Sequence, residues 1–258
     1  MAEQSKARAK GKKPAPKKKT ASKKQEQPGL ILRVRRFVRR SVMWAVLGVA
    51  GFVVLWTALY AVINPPTTPY MFSESRRLDG IAQDWVPLEE IAPVMARAVV
   101  AAEDANFCLH WGLDVNAIQR AVDNGVGGAS TISQQVVKNV FLWHGRSWAR
   151  KAIEALWTPV TEALWSKRRI VELYLNVAEF DEGVFGVQAA ARHYFGVDAA
   201  DLTRRQAARL AAILPAPKDR SASNPSTFTR NRAASILSGA DTIAADGRAD
   251  CFENAADR

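Results

Sequence analysis

A mainly α-helical domain behind a single transmembrane helix is the fold class this sequence predicts, and three observations predict it. Val42 to Ile63 is an uncharged apolar run of about 22 residues, enough to span a hydrocarbon core of roughly 30 Å as a helix. From Leu88 to Leu214 apolar residues recur at the three- and four-residue spacing of amphipathic helices. No internal repeat and no sustained alternation of apolar and polar residues, the mark of strands, interrupts that pattern.

The amino terminus carries the charge. Fifteen of the 36 Lys and Arg lie in Met1 to Arg40 against Glu3 and Glu26, about +13 in a chain whose total is +11, which leaves about −2 elsewhere. The basicity therefore belongs to an arm, and no nucleic-acid partner is expected for the domain. Residues 1–29, rich in Lys, Ala, Pro and Gln, have too few apolar groups to offset ordering entropy, so a disordered tail is expected. Arg33, Arg35, Arg36, Arg39 and Arg40 precede the apolar run directly. The positive-inside rule then places residues 1–40 in the cytoplasm and everything after Ile63 outside it, against membrane lipid. The run is longer than the apolar core of a signal peptide and no small-residue cleavage site follows, so residues 41–63 are expected to remain as a transmembrane helix.

The segment Asn64-Pro65-Pro66-Thr67-Thr68-Pro69 cannot continue that helix, which makes residues 64–84 a linker and membrane-proximal segment. A helical domain is expected over residues 85–217. An apolar helix with Ile91, Val94, Met95, Ala98, Val99 and Ala102 opens it. Helices then follow over Ser130–Leu142, Trp148–Trp165, Arg168–Val177, Val187–Phe195 and Thr203–Leu214, closed by Pro215 and Pro217. Periodicity is weaker over residues 218–258. Cys108 and Cys251 are too far apart to read as a metal-ligand pair, and whether they bond to each other is left open.

Three constellations carry chemistry. In the first, Glu103-Asp104-Ala105-Asn106-Phe107 precedes His110, Gly112 and Asp114. Two carboxylates end an apolar helix, where the helix dipole disfavours anions, and such local inconsistency is enriched at functional sites. A loop-capping pair is the bland alternative, and His110 beside Trp111 reads more readily as a structural residue. In the second, Gly127-Gly128-Ala129-Ser130-Thr131 leads into Gln134, Gln135, Lys138 and Asn139. A glycine turn, a helix start and a lysine on the Gln134 face suit a phosphate-bearing ligand, although Thr131 with Gln134 also matches a capping box. The Walker A ending is missing. In the third, Arg146, Arg150 and Glu154 are spaced by four and align on one helix stripe, as a salt-bridge ladder or as part of an anion site.

In this order, the strings EDANFCLHWGLD, GGASTISQQVVKN, RSWARKAIE, KRRIVELYLN and GVFGVQAAARHYFG resemble the family 51 glycosyltransferases, the peptidoglycan glycosyltransferases, and within them the monofunctional branch. The resemblance covers about residues 85–217 and implies a lysozyme-like glycosyltransferase domain. It implies as substrates lipid II, an undecaprenyl-pyrophosphate-linked disaccharide pentapeptide, and the growing glycan strand. It implies that Glu103 is the general base and Glu154 the second carboxylate. Ser130, Gln134, Gln135, Lys138, Asn139, Arg146 and Arg150 would bind donor and pyrophosphate, while Asp104, Phe107 and His110 hold the first motif. No cofactor is required by it, and no metal ligand set is defined. A divalent cation, Mg or Mn, near Glu154 is the one candidate. Cell-division or cell-wall synthesis proteins are the partners it suggests, and the inner membrane the location. The penicillin-binding signatures Ser-x-x-Lys and Lys-Thr-Gly are absent from the chain, so no peptide cross-linking is expected. Two other readings remain: a lytic glycan-cleaving enzyme, which needs no cationic pyrophosphate site, and a membrane-anchored scaffold acting through its basic tail.

Overall fold

The computed structural model describes residues 29–123, 130–145 and 147–254. The expected disorder of residues 1–28, the glycine turn at 127–128 and Arg146 lie outside the described residues. The chain divides into two units, Met1–Gly48 and Val49–Arg258. Helix α1 (Leu30–Tyr60) begins at Leu30, ahead of the expected start at residue 41. Arginine is a good helix former, so the basic cluster extends the apolar helix rather than delaying it. Among the described residues it is the one helix long and apolar enough to cross a membrane.

The second unit is helical, with one small sheet. α2 (Pro69–Arg77) starts on Thr68, whose side chain accepts from the Met71 N–H, with Pro69 at its first position. α3 (Pro93–Glu103) and α4 (Val115–Asp123) follow. Next come α5 (Ile132–Phe141), α6 (Trp148–Leu164) and α7 (Lys167–Val177), capped by Thr131, Ser147 and Ser166. α8 (Val187–Phe195) ends at Gly196, and α9 (Arg204–Ile213) is capped by Thr203. Hydroxyl caps just before periodic segments made the bounds of α5, α6, α7 and α9 readable to within a residue or two, whereas α2, inside the expected linker, and α4 are helices not anticipated from the sequence.

Strands β1 (Ala82–Gln83), β2 (Glu179–Asp181) and β3 (Val184–Phe185) form a sheet of order β1-β3-β2, parallel at the first pair and antiparallel at the second. Strands this short carry no alternation to detect. α10 (Thr227–Ala245) packs on α9 and α3 in the segment of weak periodicity, burying Ala233, Ile236, Ala240 and Ile243. α11 (Asp250–Glu253) packs on α7. α5 packs on α6 and α7, with Val136, Val137, Ile170 and Leu173 wholly buried between them.

The last turns of α1, inside the second unit, are part of this core. Thr57 is fully buried, and its hydroxyl donates to the Val53 carbonyl and accepts from Trp157 Nε1 at 2.8 Å. Trp165 Nε1 donates to the Thr57 carbonyl at 2.7 Å, and Trp56 packs edge-on to Phe141. Replacing Thr57 with Val keeps the volume but strands the Trp157 indole N–H. We expect a loss of about 1–3 kcal/mol in unfolding of the detergent-solubilised protein. Unchanged stability would refute the buried indole bond.

Candidate active site

Glu103 is the last residue of α3, and the chain leaves the helix at Asp104, whose φ of −161° and ψ of 67° are no longer helical. Its Oε2 accepts from Gln135 Nε2 at 3.0 Å, and the Tyr174 hydroxyl donates to the other end of that amide at 3.3 Å. Its Oε1 is buried without a hydrogen-bond partner, 3.9 Å from Arg232 Nη2 on α10. Burial raises Tyr174 well above the usual phenol range, with the Glu103 charge adding to it, so its hydroxyl stays a donor.

Asp104 turns inward and ties the first motif to the second. Its Oδ1 lies 2.8 Å from His110 Nε2, while Oδ2 accepts the Ile132 N–H at 3.0 Å, at the start of α5. Thr131 and Gln134 form a reciprocal capping box there, and the Thr131 hydroxyl donates to the Gly112 carbonyl. Gly112 has φ +82°, and a Cβ would come within 2.6 Å of Thr158 Cγ2. Only glycine serves at that contact. Phe107 is fully buried, with Lys167 Nζ 4.2 Å above its ring. Lys167 also donates to the His110 carbonyl and to Glu162, which accepts from Ser133. Burial chiefly depresses Lys167, and the Glu162 charge opposes that shift. Asp104, Phe107 and His110 thus belong to one buried network under the motif loop.

Glu154 is 2% exposed, and both its oxygens are taken: Arg150 Nη1 donates to Oε2 at 2.6 Å and Lys151 Nζ to Oε1. Lys151 also donates to Ser130 Oγ at 2.8 Å, joining the second and third motifs. Arg150 Nε is anchored on the Gly145 carbonyl. Half-buried Lys138 lies within the fields of both carboxylates. Burial lowers its ammonium below the usual lysine range, Glu154 and more weakly Glu103 raise it, and Arg150 and Lys151 lower it further.

Gln135, Lys138 and Asn139 also line a cleft of about 340 Å³ with Tyr70, His144, Tyr174 and the turn at 214–219. His144 stacks on Tyr70 and is held near a pKa of about 4, chiefly by burial and then by Lys138, so it is neutral at pH 7.

The structure therefore brings Glu103 to Gln135, and Ser130 to Arg150 and Glu154 through Lys151. Gln134 is separated from these, its amide oxygen spent on the capping box and its residue 3% exposed. Sequence reasoning missed Lys151, Tyr174 and His144. Lys151 is three residues before Glu154, a helical neighbour that a search at four-residue spacing passes over. Two cationic groups already hold the oxygens of Glu154, and among the described residues no three His, Cys, Asp or Glu converge to hold a metal ion. This donor set does not fit a divalent cation at Glu154.

Residues 72–241 match the family model described as transglycosylase. A biosynthetic peptidoglycan transglycosylase of Jannaschia sp. (strain CCS1) is 59% identical over 218 residues, 84% of this chain and 91% of that protein. Those of Caulobacter vibrioides and Rhodospirillum centenum are 43% and 45% identical, over 84% and 85% of this chain and 97% of each relative. With a family match across residues 72–241 that takes in the acidic end of α3, the capped α5 and the cationic face of α6, the chain belongs to the transglycosylase family, glycosyltransferases that act in peptidoglycan biosynthesis.

Proposed function

We propose that this enzyme polymerises lipid II into β-1,4-linked glycan strands with inversion, releasing undecaprenyl pyrophosphate. The observation that carries the reading is Lys138, set beside the Arg150-Lys151-Glu154 cluster and within the field of Glu103. A cationic site for a leaving diphosphate thus adjoins the Glu103 carboxylate, whose Oε1 has no hydrogen-bond partner. In the transfer, the acceptor's 4-hydroxyl oxygen bonds to the donor's anomeric carbon and the bond from that carbon to the pyrophosphate breaks. The hydroxyl proton passes to Glu103 and the bonding pair leaves with the pyrophosphate. Lys138, Arg150, Lys151 and the Ser130 hydroxyl stabilise its growing charge, and Arg146 is assigned the same role on the motif resemblance alone. Glu154 aims Arg150 and Lys151. Gln135 and Tyr174 orient Glu103, and Asn139 lines the donor cleft.

The domain works on the periplasmic face of the inner membrane, with residues 1–40 in the cytoplasm. Two observations support this: the arginines before the apolar run, and the bond between Cys108 and Cys251, which suits an oxidising compartment. Exposed Trp148, Leu156 and Trp111 suit a lipid-linked substrate. Partners among cell-division or wall-synthesis proteins fit the same location.

The decisive assay is polymerisation of labelled lipid II by the purified full chain. Shortening of isolated glycan with lipid II left unconsumed would favour the lytic reading instead. In the same assay Lys138→Ala is expected to lose about 10²-fold in kcat/KM while keeping the wild-type circular dichroism. Unchanged turnover would remove Lys138 from the pyrophosphate site.

A further inference from the structure

The chain leaving Glu103 is held by a segment beyond the family match, which ends at residue 241. Three contacts of different kinds reach it from α11 and the turn before it. Cys251 is bonded to Cys108 across 143 residues of sequence. Arg248 Nη1 donates to the Ala105 carbonyl at 3.0 Å. Phe252 is fully buried, with its ring centroid 6.4 Å from that of Phe107. All three fall on residues 105–108, immediately after the point where α3 stops and the backbone turns out of the helix. Helical hydrogen bonding holds Glu103 from one side only, so its aim depends on what fixes the residues that follow.

We propose that the Cys108–Cys251 disulfide and α11 form a positioning clamp, which fixes the 105–108 segment so that Glu103 keeps its reach to the acceptor hydroxyl. The clamp rests on the reading of Glu103 as the base. Stability alone does not require a link at this place, because a disulfide closing a long loop stabilises mainly through the unfolded chain wherever it lies. Catalysis is more demanding, since a misplacement of about 1 Å can cost on the order of 10²-fold. Stapling and positioning therefore differ in what they do to kcat well below the melting temperature.

The test uses the full chain in detergent with lipid II, at a temperature where every variant is folded. Cys108→Ser with Cys251→Ser removes the bond, Arg248→Ala removes the hydrogen bond, and the triple variant completes a double-mutant cycle on kcat. We expect the double cysteine variant to lose about tenfold in kcat, with KM within about twofold of wild type. Loss of Arg248 should cost more without the disulfide than with it. A lower Tm with unchanged kcat would overturn the clamp and leave a staple.

Should the cysteine variants fail to fold, folded wild type is treated with dithiothreitol. Two electrons and two protons pass from the dithiol, giving two protein thiols and the cyclic disulfide of the reagent. The measured kcat should fall and then recover when oxidised glutathione takes those electrons back. Unchanged kcat with both thiols titrated overturns the proposal equally. Glu103→Gln is assayed alongside. Normal polymerisation by that variant defeats the assignment of the base, whereas an inactive Glu103→Gln with a fully active reduced enzyme defeats the clamp alone.

Discussion

The Glu103→Gln enzyme is expected to fold, to bind lipid II and to polymerise it roughly 10²-fold or more slowly than wild type. Glutamine preserves the side chain's size, and its carbonyl oxygen can still accept from Gln135 Nε2. What is lost is the carboxylate assigned as the acceptor's base, together with the charge facing Arg232. That pair is 3.9 Å apart and partly exposed, so its removal should cost little stability. The measurements are binding of labelled lipid II and single-turnover polymerisation, with circular dichroism as the check on folding. Glu103→Asp, which keeps the charge but withdraws it by one methylene, should retain more activity than the amide if proton transfer is what matters. Near-normal polymerisation by folded Glu103→Gln would end the assignment of the base.

Much of this was legible in the sequence, for physical reasons that also mark the limit. α5, α6, α7 and α9 announce themselves because the hydroxyl caps Thr131, Ser147, Ser166 and Thr203 precede apolar residues at helical spacing, while α8 shows by its apolar spacing and the Gly196 that ends it. The ion pair of Arg150 with Glu154 is local, one turn apart, and so was readable from spacing. α10 was not readable. It is packed against both α3 and α9, and much of its contact is made by small residues: a Cβ added at Gly239 would stand 3.3 Å from that of Ala101. Close packing through alanine and glycine gives little apolar contrast along the chain. The stack of His144 on Tyr70 and the bond from Cys108 to Cys251 join residues far apart in sequence. Nothing in their neighbours states those partners. Gln134 shows the reverse difficulty, because a motif position that looked fit for substrate is occupied by the capping box.

Glu154→Gln should be nearly as damaging as the change at Glu103, but with a different signature. The carboxylate is buried and receives both Arg150 and Lys151, so the amide leaves two cations facing each other without their counter-charge. Breaking a buried pair in this way costs about 3–5 kcal/mol, and the lower end applies because the Lys151 side chain is 38% exposed and screened. Activity should fall by about 10²-fold or more, since Arg150 and Lys151 are no longer aimed at the leaving pyrophosphate. The pH dependence separates this from a stability effect. Burial already lowers the Lys138 ammonium, and Glu154 is the strongest of the charges that hold it up. Removing that charge lowers Lys138 further, so the protonated form disappears at a lower pH and the alkaline limb of kcat/KM should move to more acidic values. Glu154→Asp restores the charge and should move the limb back, even where its shorter reach leaves the rate reduced. A Glu154→Gln enzyme that melts earlier but keeps the wild-type alkaline limb would show that Glu154 serves the fold and not the charge on Lys138.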